Sequence, residues 1–190
     1  MDAFLLSFGV IFIAELGDKS QLMALAFATR FSALSVLVAI SLATLLVHLG
    51  SVVLGVAVAA TLPANLISIV AGVAFLVFAA WTLRGDQLGE RDEARARVET
   101  ARSVIVTVGT AFFLAELGDK TMLATVTLAT HENVLGTWLG STAGMVAADA
   151  LAIGVGKVLG ANLPERAIRV GAAVAFVAFG LLLIWQGVGG

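Results

Sequence analysis

Cysteine is absent from the 190-residue chain, and histidine occurs only twice. The absence of cysteine excludes disulfides, thiolate metal sites and cysteine nucleophiles. Charged residues are also scarce, at 13% of the chain, whereas 60% of the residues are hydrophobic. There is no basic face or aromatic array of the kind that nucleic-acid binding needs. The composition therefore predicts an integral membrane protein and gives no sign of a nucleic-acid partner.

Long apolar runs fill most of the chain. Because a membrane helix needs about 20 mainly apolar residues, the polar and turn-forming residues between these runs predict six transmembrane helices. Their approximate spans are 3–28, 34–60, 65–83, 104–128, 134–160 and 166–187. The first run continues beyond the length of a signal peptide, so we expect it to remain as the first membrane helix.

The two halves of the chain are related by a constant offset of 101 residues. This offset aligns Phe12 with Phe113 and Gly55 with Gly156, without any gap. We therefore expect an all-α protein with one three-helix repeat over 1–84, a linker over 85–103 and a second repeat over 104–190. Because three crossings are an odd number, the second repeat must be inverted in the membrane, as in many secondary transporters.

The loop charges predict the orientation. Cytoplasmic loops are enriched in Lys and Arg. With the amino terminus outside, the cytoplasmic segments would hold every basic residue except the two motif lysines described below, namely Arg30, Arg84, Arg91, Arg95, Arg97, Arg102, Lys157, Arg166 and Arg169. We expect a multi-pass cell-membrane protein with both termini outside the cytoplasm. The 85–103 linker is then cytoplasmic, either as a plain solvated connector or as a regulatory cation sensor.

One phrase occurs once in each repeat, inside an apolar run. Residues 14–20 read Ala-Glu-Leu-Gly-Asp-Lys-Ser, and residues 115–121 read Ala-Glu-Leu-Gly-Asp-Lys-Thr. An ionised group in the middle of a membrane helix costs roughly 2.5 to 3.5 kcal/mol or more, so four such acids indicate a function. On a continuous helix the acids and the lysine of each phrase would share one face.

The chemistry of the phrase predicts a site for a hard divalent cation. Such ions prefer oxygen ligands, whereas Zn²⁺ and Cu⁺ would favour His or Cys. Protons compete with a metal ion for carboxylate oxygens, so a site exposed alternately to each side would exchange the cation for protons. The predicted ligands are Glu15, Asp18, Glu116, Asp119, Ser20 and Thr121, with Gln21 as a nearby neutral oxygen donor. Gly17 and Gly118 would let a helix or an ion approach the backbone closely.

Four other polar residues have two readings each. Lys19 and Lys120 either pair with the acids to hold the bundle together or neutralise the site and stand at its rim. His48 and Asp149 are equivalent under the offset. They are either a proton relay or ligand-supporting pair across the axis, or groups that make ordinary hydrogen bonds inside the bundle.

The doubled phrase resembles the two Glu-x-Gly-Asp-(Lys/Arg)-(Ser/Thr) signatures of a family of small membrane cation/proton antiporters. That family includes bacterial MneA-type manganese exporters and Golgi calcium/manganese transporters. The resemblance covers nearly the whole chain. It implies export of Mn²⁺ or Ca²⁺ from the cytoplasm against inward protons, with the four acids as the functional groups.

Other functions remain open at this point. A divalent-cation channel or uniporter would use the same acids to line a pore. Export of a small organic solute would need a larger cavity. A metal-dependent hydrolase lacks a His-rich zinc pattern or an activated nucleophile, so we do not expect an enzyme or a resident cofactor. The choice between Mn²⁺ and Ca²⁺, the proton stoichiometry and the oligomeric state do not follow from the sequence.

Overall fold

The computed structural model describes residues 2–84, 104–159 and 165–189. The predicted linker over 85–103 lies outside these residues. The described part is all-helical, as expected from the sequence. Its helices are α1 Asp2–Glu15, α2 Lys19–Ala28, α3 Ala33–Ala59, α4 Ala64–Arg84, α5 Val104–Glu116, α6 Lys120–Ala129, α7 Val134–Leu159 and α8 Glu165–Gly189.

The prediction of continuous helices over 3–28 and 104–128 is wrong. Each is divided at the repeated phrase, into α1 and α2 in the first half and into α5 and α6 in the second. The break lies at Gly17, with φ 76°, and at Gly118, with φ 82°. Only glycine adopts this left-handed conformation without a steric cost. The two acids of each phrase therefore lie on either side of a turn and do not share one helical face.

Helix packing follows the sequence repeat. Helix α1 packs along α7, and its counterpart under the offset is the packing of α5 on α3. The contact of α2 with α7 likewise corresponds to that of α6 with α3. Helices α4 and α8 pack on each other, and the equivalent rings Phe75 and Phe176 meet there with centroids 5.8 Å apart. Each repeat thus packs mainly on the other repeat.

The distribution of polarity is that of a membrane protein. Large apolar side chains such as Leu34, Trp185 and Val188 are exposed, while acids, a lysine, a histidine and several hydroxyls are buried. Among the described residues, the helical spans Ala33–Ala59 and Val134–Gly156 are by themselves long and apolar enough to cross a membrane. The breaks leave α1, α2, α5 and α6 too short to do so singly.

Close helix contacts predict a sharp difference between two glycines of α7. A Cβ atom at Gly144 would lie 2.5 Å from the carbonyl oxygen of Phe8 and 3.1 Å from the amide nitrogen of Phe12, whereas one at Gly154 would meet nothing within 4 Å. We expect Gly144→Ala to lower stability by about 1–3 kcal/mol through overpacking. Gly154→Ala should leave stability unchanged or raise it by up to about 1 kcal/mol. Thermal unfolding in detergent measures both; equal effects would contradict the α1–α7 packing.

Candidate functional site

The two helix breaks meet at the centre of the fold through two crossed ion pairs. Lys120 Nζ contacts Asp18 Oδ1, and Lys19 Nζ lies 3.5 Å from Asp119 Oδ1. The lysine of each phrase therefore pairs with the aspartate of the other. These pairs join residues 102 and 100 positions apart, and the 101-residue offset that relates the repeats converts one pair into the other.

Both aspartates occupy the N-cap position of a short helix, Asp18 on α2 and Asp119 on α6. An N-cap aspartate normally accepts a hydrogen bond from the first turn of its helix. Neither side chain makes this bond. Since capping does not occupy these carboxylates, their oxygens are directed to the ion pairs and the site.

The hydroxyl that follows each lysine bonds to an acid of its own phrase. Ser20 Oγ donates to Asp18 Oδ2 at 3.2 Å, and Thr121 Oγ1 donates to Glu116 Oε2 at 3.0 Å. Both hydroxyls are fully buried. The two repeats thus use the same hydroxyl position with different acids.

Several buried carboxylate oxygens have no hydrogen-bond partner among the described residues. They are both oxygens of Glu15, Oε1 of Glu116, Oδ2 of Asp119 and both oxygens of Asp149. Buried polar atoms of native proteins are almost always bonded, so each exception needs an explanation. Four acidic side chains with spare oxygens in one region of the fold are suited to a cation.

Asp149 belongs to this group of acids. It is fully buried on α7 and interacts electrostatically with Asp18, Glu15 and Glu116. Its equivalent His48 is also fully buried, and neither ring nitrogen has a hydrogen-bond partner. The described residues include no hydrogen bond or ion pair between His48 and Asp149, so the structure lacks the mutual pair considered above.

Gln21 connects the first helix break to the turn of α7 that carries Asp149. Its Oε1 accepts from Gly17 N at 2.8 Å, and its Nε2 donates to the carbonyl of Ala148 at 2.9 Å. In the second repeat Met122 replaces it, and Gly118 N lies 3.1 Å from the Met122 sulfur. The amide of Gln21 thus braces the break, and it lies beside the acids as a support.

The acids gather without forming a closed coordination shell. Within 2–84, 104–159 and 165–189, no three Asp, Glu or His side chains converge closely enough to hold one ion between them. The region therefore combines spare carboxylate oxygens with two ammonium groups already in place. This region can bind a cation only if the lysine–aspartate contacts and the acid side chains rearrange.

Sequence reasoning missed one feature of the site, the interruption of helical hydrogen bonds at the two breaks. At such a break the last carbonyl groups of one helix and the first amides of the next lose their helical partners. Glycine between two acids was the available signal, because a residue with no Cβ is the usual choice for a left-handed turn. The Glu-x-x-Asp spacing, which also fits a helix face, concealed it.

Comparison with known proteins places the chain in a family that is defined by sequence. The family model described as the divalent cation/proton antiporter GDT1 matches residues 3–90 and 104–190. The chain belongs to the GDT1 family. This confirms the resemblance drawn from the doubled phrase, and it makes the protein a member of a family of membrane transporters and not of enzymes.

Individual relatives cover most of this GDT1 chain. A Vibrio cholerae protein named "putative manganese exporter" is 34% identical over 184 residues, which are 95% of this chain and 90% of that protein. The chloroplastic protein PAM71 of Arabidopsis thaliana is 32% identical over 94% of this chain and 55% of its own. A GDT1-like protein of Schizosaccharomyces pombe is 26% identical, over 95% and 81% of the two chains. No solved structure matches the chain.

The turn at Gly118 allows a test of the break without a change in packing. A Cβ atom there would meet nothing within 4 Å, so Gly118→Ala would act through its φ of 82° alone. A left-handed non-glycine residue costs roughly 1–2 kcal/mol, and asparagine tolerates it better than alanine. We expect Gly118→Ala to lower both thermal stability and cation transport, and Gly118→Asn to recover part of each.

Proposed function

We propose that this GDT1 protein exports Mn²⁺ from the cytoplasm in exchange for protons, by alternating access at the site between the two helix breaks. The observation that carries the proposal is the crossed pairing of Lys19 with Asp119 and of Lys120 with Asp18. It joins the two repeats where, among the described residues, buried acids gather. The GDT1 family establishes the coarser activity, divalent cation/proton antiport.

The donor atoms support a hard divalent cation. Glu15, Asp18, Glu116 and Asp119 supply carboxylates, and Ser20 and Thr121 supply hydroxyls. Mn²⁺, Ca²⁺ and Mg²⁺ all accept such a set, and cavity size and rigidity decide between them. We favour Mn²⁺, with Ca²⁺ next, because the name of the Vibrio cholerae relative specifies manganese.

Proton coupling follows from the chemistry of the same oxygens. A carboxylate with no partner in an apolar interior is stabilised either by a proton or by a cation. Metal binding to such a site releases protons, and protons oppose metal binding. The unpartnered oxygens of Glu15, Glu116 and Asp149 support this competition. We assign Asp149 to the site as a fifth acid that supports the ligands.

The membrane arrangement is part of the proposal. Residues 1–84 and 104–190 form two inverted repeats of three spans, with the 85–103 linker in the cytoplasm and both termini outside. Helices α1 and α2 together make one span, and α5 and α6 another, each broken near the midplane. The matching contacts between the repeats support this arrangement, since discontinuous helices that meet at a repeat interface form the sites of many secondary transporters.

The chain's lack of cysteine makes the inverted topology directly testable. Thr29 and Thr130 are equivalent under the offset and follow α2 and α6. Inversion places them on opposite faces, so a membrane-impermeant maleimide added to intact cells should modify Thr130→Cys at once. It should modify Thr29→Cys only after permeabilisation. Modification of both from the same face would contradict the inverted repeat.

Proteoliposomes with a trapped pH dye test antiport. Adding Mn²⁺ to the wild-type protein should move protons in the opposite direction, and Glu15→Gln or Glu116→Gln should abolish that movement. Asp149→Asn should weaken the apparent affinity for Mn²⁺ by about 10- to 100-fold, the range typical of groups that support metal ligands. Asp2→Asn is the matched control, because Asp2 is an exposed acid at the start of α1, the end far from the site. This variant should behave as wild type.

The pH dependence has a defined sign. Lower pH on the side from which Mn²⁺ enters should reduce its apparent affinity, because protons occupy the same carboxylates. Lower pH on the opposite side should accelerate transport. Mn²⁺ entry with no proton movement would refute antiport and favour a uniporter, and a response to Ca²⁺ alone would reassign the ion.

A further inference from the structure

The two crossed ion pairs contain the same chemical groups but differ in access. The side chains of Lys120 and Asp18 are 2% and 0% exposed. Across the other pair, the side chain of Lys19 is 27% exposed, while that of Asp119 is 2% exposed. The first pair is therefore buried at both ends, whereas the second has a buried aspartate and a partly exposed lysine. We call the first the closed pair and the second the open pair.

The residues around the two breaks also differ in exposure. At the second break Leu117 and Gly118 are exposed, whereas Leu16 and Gly17 at the first break are half-buried. The first break also carries the Gln21 brace to the carbonyl of Ala148, whereas at the second break Met122 occupies the equivalent position and its sulfur lies beside Gly118 N. The asymmetry thus extends from the ion pairs to the backbone that holds them.

In an inverted repeat this asymmetry has a direct meaning. The operation that exchanges the two repeats converts the Lys120–Asp18 pair into the Lys19–Asp119 pair, and it also exchanges the two faces of the membrane. A closed pair and an open pair that this operation exchanges therefore describe a protein that is closed toward one face and open toward the opposite face. Exchange of the two roles gives the other state of the transport cycle.

We propose that Lys19 and Lys120 are paired positioning residues that close the site alternately, each by holding the aspartate of the other repeat. This inference rests on the proposed antiport function. In the described state Lys120 holds Asp18 and closes one face, while the looser 3.5 Å contact of Lys19 leaves Asp119 within reach of an entering cation. In the other state Lys19 holds Asp119 closely and Lys120 is exposed.

The ammonium groups suit this role because they take the place of the cation. A buried aspartate without a positive partner is strongly unfavourable. A lysine on the closed side supplies that charge from within the chain and needs no ion from solution. A divalent cation carries twice the charge of the ammonium, so on the open side it displaces the more exposed lysine.

The native chain carries its own probes. Its sequence contains only three lysines, Lys19, Lys120 and Lys157. A membrane-impermeant amine-reactive ester, added from one face of proteoliposomes and read by mass spectrometry, reports each lysine separately. Lys157, which we expect on the cytoplasmic side, identifies the face. We expect Lys19 and Lys120 to be modified from opposite faces, and saturating Mn²⁺ or a reversed pH gradient to change their ratio.

Two matched variants separate this role from a merely structural one. Lys120→Gln removes the closed pair of the described state, which shifts the population to the other state and closes Lys19. Modification of Lys19 should therefore fall by roughly fivefold or more, the lower end of usual coupling between sites. Lys19→Gln should protect Lys120 in the same way. If the lysines merely held the bundle together, each substitution would loosen it and raise modification of the remaining lysine.

The outcomes distinguish this inference from the proposed function. Modification of Lys19 and Lys120 from the same face, or a rise of either in the reciprocal variant, would overturn the alternating closure even if the wild type exchanges Mn²⁺ for protons. Opposite-face modification with the reciprocal falls would support the closure even if no cation tested moved protons. That second combination would overturn the antiport assignment alone.

Discussion

Carboxylates removed from water within an apolar bundle are the constraint on which the rest of the structure depends. An unpaired charge in such an interior is far more costly than a hydrogen-bonded or paired one. The chain meets this constraint across its repeats, because Lys19 and Lys120 each contact the aspartate of the opposite phrase. The central charges therefore bind the two halves into one unit.

The helix breaks make this crossed pairing sterically feasible. On a continuous helix, Asp18 and Lys19 would be neighbours on the surface of α1, and helix packing would limit how closely their side chains could approach the second phrase. Helix α1 ends at Glu15, the left-handed turn at Gly17 follows, and α2 starts at Lys19, so Asp18 occupies the N-cap position of that helix. Helix N-termini favour negative charge, which lowers the cost of keeping these carboxylates buried. The same turn at Gly118 repeats the arrangement.

Sequence reasoning predicted the features that depend on composition and on internal similarity. The all-helical class and the gathering of both phrases follow from apolar runs and from the 101-residue offset, which carry information over the whole chain, and the family follows from the resemblance of the doubled phrase. The breaks did not follow, because Glu15 and Asp18 have a spacing that also suits an intact helix. The partners of the lysines did not follow either, since pairing between Lys120 and Asp18 depends on how two distant segments approach each other. His48 and Asp149 are equivalent in sequence but do not pair, for the same reason.

Departures from the repeat carry as much meaning as the repeat itself. Two identical halves would place the open and closed arrangements at equal free energy. In this chain Gln21 occupies the position equivalent to Met122 and braces the first break to Ala148. Asp149 adds a negative charge where the first repeat has His48. Both differences fall beside Asp18, the aspartate of the closed pair. Under the alternating closure proposed above, they give the two states of the cycle different free energies.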